Sequence, residues 1–502
     1  MELVSSLTAA GFPFTSVRHE VAAVTAADAY FRATGAMAVA TATYGAGFTN
    51  MATGLAEAQL ARIPLVVVVG DAPSTGSRPF DLDQSTVTIG LNIPVITIDQ
   101  HNAGSAIARA FDMAVDGQGP VVVMIPYDLA ATSVDDVCTT SDYEPLTKPQ
   151  ATDAQLDRLA QALVAAEHPS MLTGGGVVRT NTGPLVRQLG DRIGAVFMHS
   201  LTASHVTGTE HSLGIAGGFT PEYELPAVQA ADMVLILGAT SNTFQTRKGT
   251  LFGTDNIYRI DRTSTWNLSL PQATTVVADL TDALPRLLDA VKRLSPKPSR
   301  YRSDLAELLP EDGLDTEPSY GTDGQLDPCQ VAAHLNILLP ANRQIVVDGG
   351  HFFTWVGERL DIPEPASMIA VGTAFQSIGL GFGSAVGASV GSPGKFTVCI
   401  SGDGGAQMAL ADLPMFIETT DHGAVVIFND AAYGAELHQY AAIGADSTAM
   451  YLPQVDFAAL GQAMDATGIT INLPAGCSAA RASRWSILTS QPNSRTRLCA
   501  PV

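Results

Sequence analysis

One aspartate set among glycines and an Asn-Asp pair about 25 residues further on have the types and spacing needed to hold a metal-bound diphosphate. The segment SGDGGAQMALADLPMFIETTDHGAVVIFNDAAYGAE, residues 401–436, places Asp403 among Gly402, Gly404 and Gly405 directly after the apolar run 396–400. A helical pattern follows, and a second apolar run, 424–428, ends in Asn429 and Asp430. Oxygen ligands at the carboxyl ends of neighbouring parallel strands suit Mg2+, and the N–H groups of a helix start beside them suit phosphate oxygens. The glycines let backbone approach closely. A lone Gly-Asp-Gly is usually a turn, whereas the ordered series strand, GDGG, helix, strand, Asn-Asp is far more specific.

Three further stretches carry candidate groups. In SVRHEVAAVTAADAYFRATGAMAVATATYGAGFTNMATGLAEAQLARIPLVVVVGD, residues 16–71, the pattern reads strand, helix, strand, glycine turn, helix, strand. Glu20 then falls at a strand end before an Ala-rich helix, where taken alone it complements the helix dipole. In DGGHFFTW, residues 348–355, His351 by itself reads as a capping or loop histidine. GTAFQSIGLGFGSAVGA, residues 372–388, lacks the GxGxxG spacing and the later acid of a dinucleotide loop.

The elements that position these groups follow from the pattern of the whole chain. Apolar, largely β-branched runs at 65–69, 121–125, 234–237, 345–347, 396–400 and 424–428 alternate with helical patterns, as strands buried on both faces of parallel sheets do. At 502 residues the length suggests roughly three domains. Polar, Pro-containing stretches at 139–152 and 295–325 are the linker candidates. The net charge of -22 opposes contact with nucleic acid or anionic membrane. Five cysteines without a CxxC pair (Cys138, Cys329, Cys399, Cys477, Cys499), and an acidic Glu2 where a secretion signal wants positive charge, fit a cytoplasmic setting. Residues 365–394 carry no charge but seven glycines, and read as a buried Gly-rich helix rather than a membrane span.

On the motif around Asp403, the sequence resembles the thiamine diphosphate enzymes of the acetolactate synthase and benzoylformate decarboxylase superfamily, whose signature is GDG followed, after a helix and a strand, by Asn-Asn. The resemblance implies an α/β protein of three parallel-sheet domains: pyrimidine-binding (1–140), central (153–292) and diphosphate-binding (325–473). It implies Asp403, Asp430 and the carbonyl of Ala432 as Mg2+ ligands, with Asp430 replacing the second Asn and adding a negative charge. Gly402, Gly404, Gly405, Tyr433 and Gly434 would surround the diphosphate, with Gly350 and His351 as further contacts. Ile378 would prop the cofactor in its bent shape, with Gln376 beside it. Glu20 matches the RHE glutamate that hydrogen-bonds the aminopyrimidine ring and favours its imino form, whose nitrogen takes the thiazolium proton.

Within that superfamily the loop 71–86 points to the acetolactate type: Asp83-Gln84-Ser85 stands where those enzymes carry Phe-Gln-Glu, which makes Gln84 a catalytic candidate. Thr97 replaces a lysine of that type. In the central block TGGGVV (173–178) leaves FAD possible without committing to it, and Arg247, a candidate for a substrate carboxylate, reads better as a surface arginine. The implied reaction joins a decarboxylated 2-oxo acid such as pyruvate to a second carbonyl compound. Simple 2-oxo acid decarboxylation, or a cofactor-fold protein without turnover, are the alternatives. A homodimer or homotetramer is implied, because the two ends of one cofactor come from different subunits. Relatives carry a further helix, strand and GxPG turn ahead of the part seen here, so the first sheet is expected to be one strand short. Residues 474–502, with four arginines and no acid, read either as a basic tail with a partner or, as the better expectation, as a segment that does not complete the third domain, as a shifted reading frame would produce.

Overall fold

The computed structural model describes residues 2–135, 140–264, 269–309, 326–471 and 484–489. They form three α/β units, each around its own sheet. The first sheet has β1 (Val39–Ala42), β2 (Leu65–Asp71), β3 (Val95–Thr97) and β4 (Pro120–Pro126) in the order β1-β2-β4-β3, all parallel. The second has β5 (Pro169–Thr173), β6 (Val196–His199), β7 (Ser212–Ile215), β8 (Met233–Leu237), β9 (Ile257–Asp261) and β10 (Thr274–Val277) in the order β10-β9-β8-β5-β6-β7, again parallel. Val, Ile, Leu and Met dominate β2, β4 and β8, and β4, β5 and β8 are buried along almost their whole length, as a sheet covered on both faces requires.

The third sheet has β11 (Arg343–Val347), β12 (Met368–Ile369), β13 (Phe396–Gly402), β14 (Gly423–Asn429), β15 (Thr467–Ile471) and β16 (Arg484–Thr489), in the order β12-β11-β13-β14-β16-β15. β16 is the exception to parallel pairing: it runs antiparallel between β14 and β15. Over those six residues the stretch read as a basic tail belongs to the sheet, where it pairs the outer edge of β14. The remainder of 474–502 lies outside the described residues, as do Cys138, Cys477 and Cys499.

A second departure concerns the segment before Glu20. No strand forms there; Glu20 instead opens the helix Glu20–Thr34, capped by His19 Nδ1 accepting the Val21 N–H at 3.3 Å. The reason is a side chain distant in sequence: the N–H groups of Arg18 and His19 go to Asp412 and not to a neighbouring strand.

The helix Glu20–Thr34 packs along Gly381–Gly391, whose residues from Gly381 to Ser389 are all buried. Thus only the part of the uncharged stretch from Gly381 to Gly391 is a core helix, and no described helix is long and apolar enough to cross a membrane. The two helices touch backbone to backbone because small residues face each other. A methyl group at Gly387 would overlap the Ala26 carbonyl oxygen. Ala29, with Val17, Val21, Ala26 and Ala33 around it, joins the core of the third unit, so the seam between first and third units is a continuous apolar layer. Gly387→Ala is therefore expected to cost about 1–3 kcal/mol, read as a lowered denaturation midpoint in chemical unfolding.

Candidate active site

The loops at the carboxyl ends of β11, β13 and β14 meet loops of the other two units around a cavity of about 1880 Å3. Gly350, His351, Gln376, Ile378, Gly402, Asp403, Gly404, Gly405, Asp430, Ala432, Tyr433 and Gly434 all line it. Glu20 and Gln84 do not. The residues singled out in the third unit are thus together in one place, and those of the first unit stand apart from them.

Asp403 opens the short helix Asp403–Met408 at the end of β13 and is 2% exposed. Its Oδ1 accepts the Gly404 N–H at 2.9 Å, while Oδ2 is buried without a hydrogen-bond partner among the described residues. Burial, reinforced by the nearby charge of Asp430, pushes its pKa up to about 6. At the end of β14, Asn429 is 2% exposed; its Nδ2 donates to the Val455 carbonyl at 3.0 Å, and its Oδ1 likewise has no partner. Two buried oxygens left unpaired on adjacent strands are costly unless something else binds them. A hard cation is the natural occupant.

Asp430 follows and is more open. Its Oδ2 lies 3.9 Å from His351 Nε2. Burial raises its pKa against the pull of that histidine, and burial also lowers the pKa of His351. The His351 ring meets Trp355 and His438 edge-on, each at 5.3 Å. Ala431 adopts a left-handed conformation (φ 56°), which costs a non-glycine residue about 1–2 kcal/mol, and so does Gln376 (φ 60°). Strain of this kind persists where surrounding structure over-determines the backbone, and it gathers at ligand sites.

Asp348, at the end of β11, organises the floor. It is 1% exposed and accepts N–H groups from Gly349 (2.9 Å), Gly379 (3.1 Å) and Leu380 (3.3 Å), with the Ser401 hydroxyl at 3.0 Å. A β-carbon on Gly405 would stand 2.5 Å from Asp348 Oδ2, and one on Gly434 would overlap the His351 ring. These two glycines are therefore required by close approach. Nothing in the residue pattern around DGGHFFTW marks Asp348 as different from an ordinary strand-end acid, so its role as hub was not readable from spacing; nor was the unpaired Asn429 oxygen, beyond its place next to Asp430.

In the first unit, Glu20 is half-buried and its Oε2 accepts from Asn50 Nδ2 at 2.9 Å. Gln84 is 1% exposed; Oε1 accepts the Gly45 N–H at 2.5 Å, and Nε2 donates to the Gly70 carbonyl at 2.9 Å and to Asp71 Oδ1 at 3.3 Å. Both ends of its amide hold the turn after β1 to the end of β2. Arg247 is half-buried: Nη2 pairs with the exposed Glu222 at 2.5 Å, while Nη1 is buried without a hydrogen-bond partner among the described residues. In the central unit Gly174 and Gly176 press against Gly238 and Ala239, so the glycine run after β5 serves the contact between the β5 and β8 loops.

Among the described residues no three His, Cys, Asp or Glu side chains gather as metal ligands. A cation here would accordingly take two carboxylates and complete its shell with amide, carbonyl, phosphate or water oxygens, which is Mg2+ chemistry. The donor set and the glycine cradle fit a cation-bound diphosphate.

Comparison with known proteins agrees with this geometry. Residues 1–89 match the family model described as thiamine pyrophosphate enzyme, N-terminal TPP binding domain; 156–287 match its central domain and 348–484 its C-terminal TPP binding domain. The chain is 29% identical over 433 residues to acetolactate synthase isozyme 2 large subunit of Escherichia coli (strain K12), covering 82% of this chain and 75% of that protein. It is 27% identical over 417 residues to the acetolactate synthase large subunit of Corynebacterium glutamicum, covering 79% of this chain and 65% of that one. Against acetolactate synthase of Mycobacterium avium it is 28% identical over 420 residues, with 79% and 66% covered. With all three domain models matched in order, the chain belongs to the thiamine diphosphate-dependent enzyme family and is similar to acetolactate synthase large subunits.

Proposed function

We propose that this chain is a thiamine diphosphate- and Mg2+-dependent carboligase of the acetolactate synthase type, which decarboxylates a 2-oxo acid such as pyruvate and joins the product to a second carbonyl compound. The observation that carries the metal site is the buried Asp403 Oδ2 without a partner among the described residues, at the end of β13 where Asp403 and Asp430 line one cavity. Asp403, Asp430 and the Ala432 carbonyl hold the cation; Gly350, His351, Gly402, Gly404, Gly405, Tyr433 and Gly434 surround the diphosphate, and Gln376 and Ile378 support the ring end. When bound, thiamine diphosphate supplies a thiazolium carbon that adds to the 2-oxo acid and accepts the electrons left by departing carbon dioxide.

Glu20 holds a proton at the aminopyrimidine nitrogen, and Asn50 fixes one of its carboxylate oxygens. That Glu20 lies outside the cavity lined by Asp403 supports a homodimer or a homotetramer of dimers in which Glu20 of one copy serves the site of another. FAD is not part of the proposal, since loop packing accounts for the glycines after β5. Incubation with pyruvate, thiamine diphosphate and Mg2+ tests the reading: acetolactate supports it, and acetaldehyde as the product overturns the carboligase assignment in favour of simple decarboxylation.

The raised pKa of Asp403 gives a pH dependence with a definite sign. The cation binds the ionised carboxylate, so above about pH 6 its affinity is independent of this group, and below about 6 the proton competes. Mg2+ affinity is expected to fall about tenfold per pH unit on the acid side, measured by calorimetric titration of Mg2+ with thiamine diphosphate present.

A further inference from the structure

Two buried acids reach across the seam between the first and third domains in opposite directions. Glu57, on the helix Ala52–Ala61 of the first domain, is fully buried and accepts the N–H groups of Phe375 at 2.7 Å and Ala374 at 3.3 Å. Those amides belong to the third-domain loop 372–379, which carries Gln376 and Ile378 into the cavity. The far end of the same loop is held from inside the third domain by Asp348, through Gly379 and Leu380. Asp412, just after the Asp403–Met408 helix, is 3% exposed and accepts the N–H groups of Arg18 at 2.7 Å and His19 at 3.3 Å. The next residue is Glu20.

Cohesion of the seam does not explain these acids. The helices Glu20–Thr34 and Gly381–Gly391 already supply an apolar contact, and burying a carboxylate opposes folding unless each charge is matched by donors. Here the donors are backbone amides of two particular segments, joined for Glu57 by Arg32 at 3.5 Å, which also pairs with Asp28 at 2.5 Å. Apolar side chains would close the seam without setting the direction in which those amides point. Carboxylates set it.

We propose that Glu57 and Asp412 are reciprocal positioning residues: Glu57 fixes the loop that presents Gln376 and Ile378, and Asp412 fixes the turn that presents Glu20. What the presented groups do rests on the thiamine diphosphate reading; the anchoring itself does not. The consequence is a division of labour. Loosening Glu57 disturbs the half of the site that grips the cofactor, whereas loosening Asp412 disturbs the half that moves the proton.

Glu57→Gln keeps size and replaces one of the two acceptor oxygens by a donor that faces an anchored amide; Asp412→Ala removes the single oxygen, Oδ1, that accepts both of its amides. For Glu57→Gln, we expect thiamine diphosphate affinity, read by calorimetry at saturating Mg2+, to fall about tenfold, the equivalent of one hydrogen bond to a charged group. Amide hydrogen exchange should speed up at Ala374 and Phe375 but not at Arg18 and His19. For Asp412→Ala the exchange pattern reverses, pyruvate turnover falls about tenfold, and cofactor affinity stays within about twofold. General loosening would instead lower affinity and turnover together, in step with thermal stability, and would overturn the proposal; so would unchanged values in both variants. Should either variant fail to fold, exchange in the unmutated protein decides: protected amides at Arg18, His19, Ala374 and Phe375 support the anchors, and exchange there at unprotected rates overturns them. If the unmutated protein takes up no thiamine diphosphate while these amides are protected, the functional reading fails and the anchoring stands.

Discussion

Glu20→Gln is expected to lower turnover of a 2-oxo acid by two to three orders of magnitude while thiamine diphosphate affinity changes only a few-fold. The glutamine preserves the volume of the side chain and an oxygen able to accept from Asn50, so the start of the helix Glu20–Thr34 keeps its shape. What is lost is a group able to hold and release a proton, and a positioned acid or base typically contributes about 10²–10⁴ in rate. Steady-state turnover of pyruvate, with cofactor binding measured on the same samples, checks both halves. Retained turnover would remove Glu20 from the mechanism. A parallel collapse of affinity would make its role structural.

Asp403→Asn is expected to weaken Mg2+-dependent thiamine diphosphate binding by about 100-fold or more, since even groups behind a metal ligand contribute about 10–100-fold. Its effect on the cation-free protein has the opposite sense. Burial and Asp430 keep a proton on Asp403 up to about pH 6. Ionising it in the folded, cation-free state therefore opposes folding as pH rises from the unfolded carboxylate range through about 6, and that cost is fully present at neutral pH. A neutral asparagine removes the cost. Thermal unfolding at pH 7 without divalent cation should show the variant at least as stable as the parent, and added Mg2+ with cofactor should stabilise only the parent. A variant that loses binding by losing its fold would fail this comparison.

The diphosphate half of the site was readable in the sequence because its parts are contiguous. Asp403 with its glycines, and Asn429 with Asp430, each sit at the end of an apolar run, and strand-end residues of neighbouring parallel strands meet in space. The acids that orient the site were not readable. Glu57 lies in the Ala-rich ATGLAEAQLA helix and Asp412 in a short turn, where lone acids ordinarily face solvent. Only the docking of one domain on another buries them. The partners of Gln84 were not readable either: its place in the loop gives no sign that its amide binds Gly45, Gly70 and Asp71. The strand expected before Glu20 failed because a side chain, Asp412, took the N–H groups that a sheet partner would have taken. Periodicity records which residues are apolar, and it is blind to a distant acceptor.

Everything proposed for this chain depends on a cation-bound diphosphate between Asp403 and Asp430. The most direct test is calorimetric titration of the purified protein with thiamine diphosphate at neutral pH, with and without magnesium. Saturable uptake approaching one cofactor per chain, present with Mg2+ and lost when the cation is chelated, is the expected result. No uptake at saturating magnesium would contradict the account.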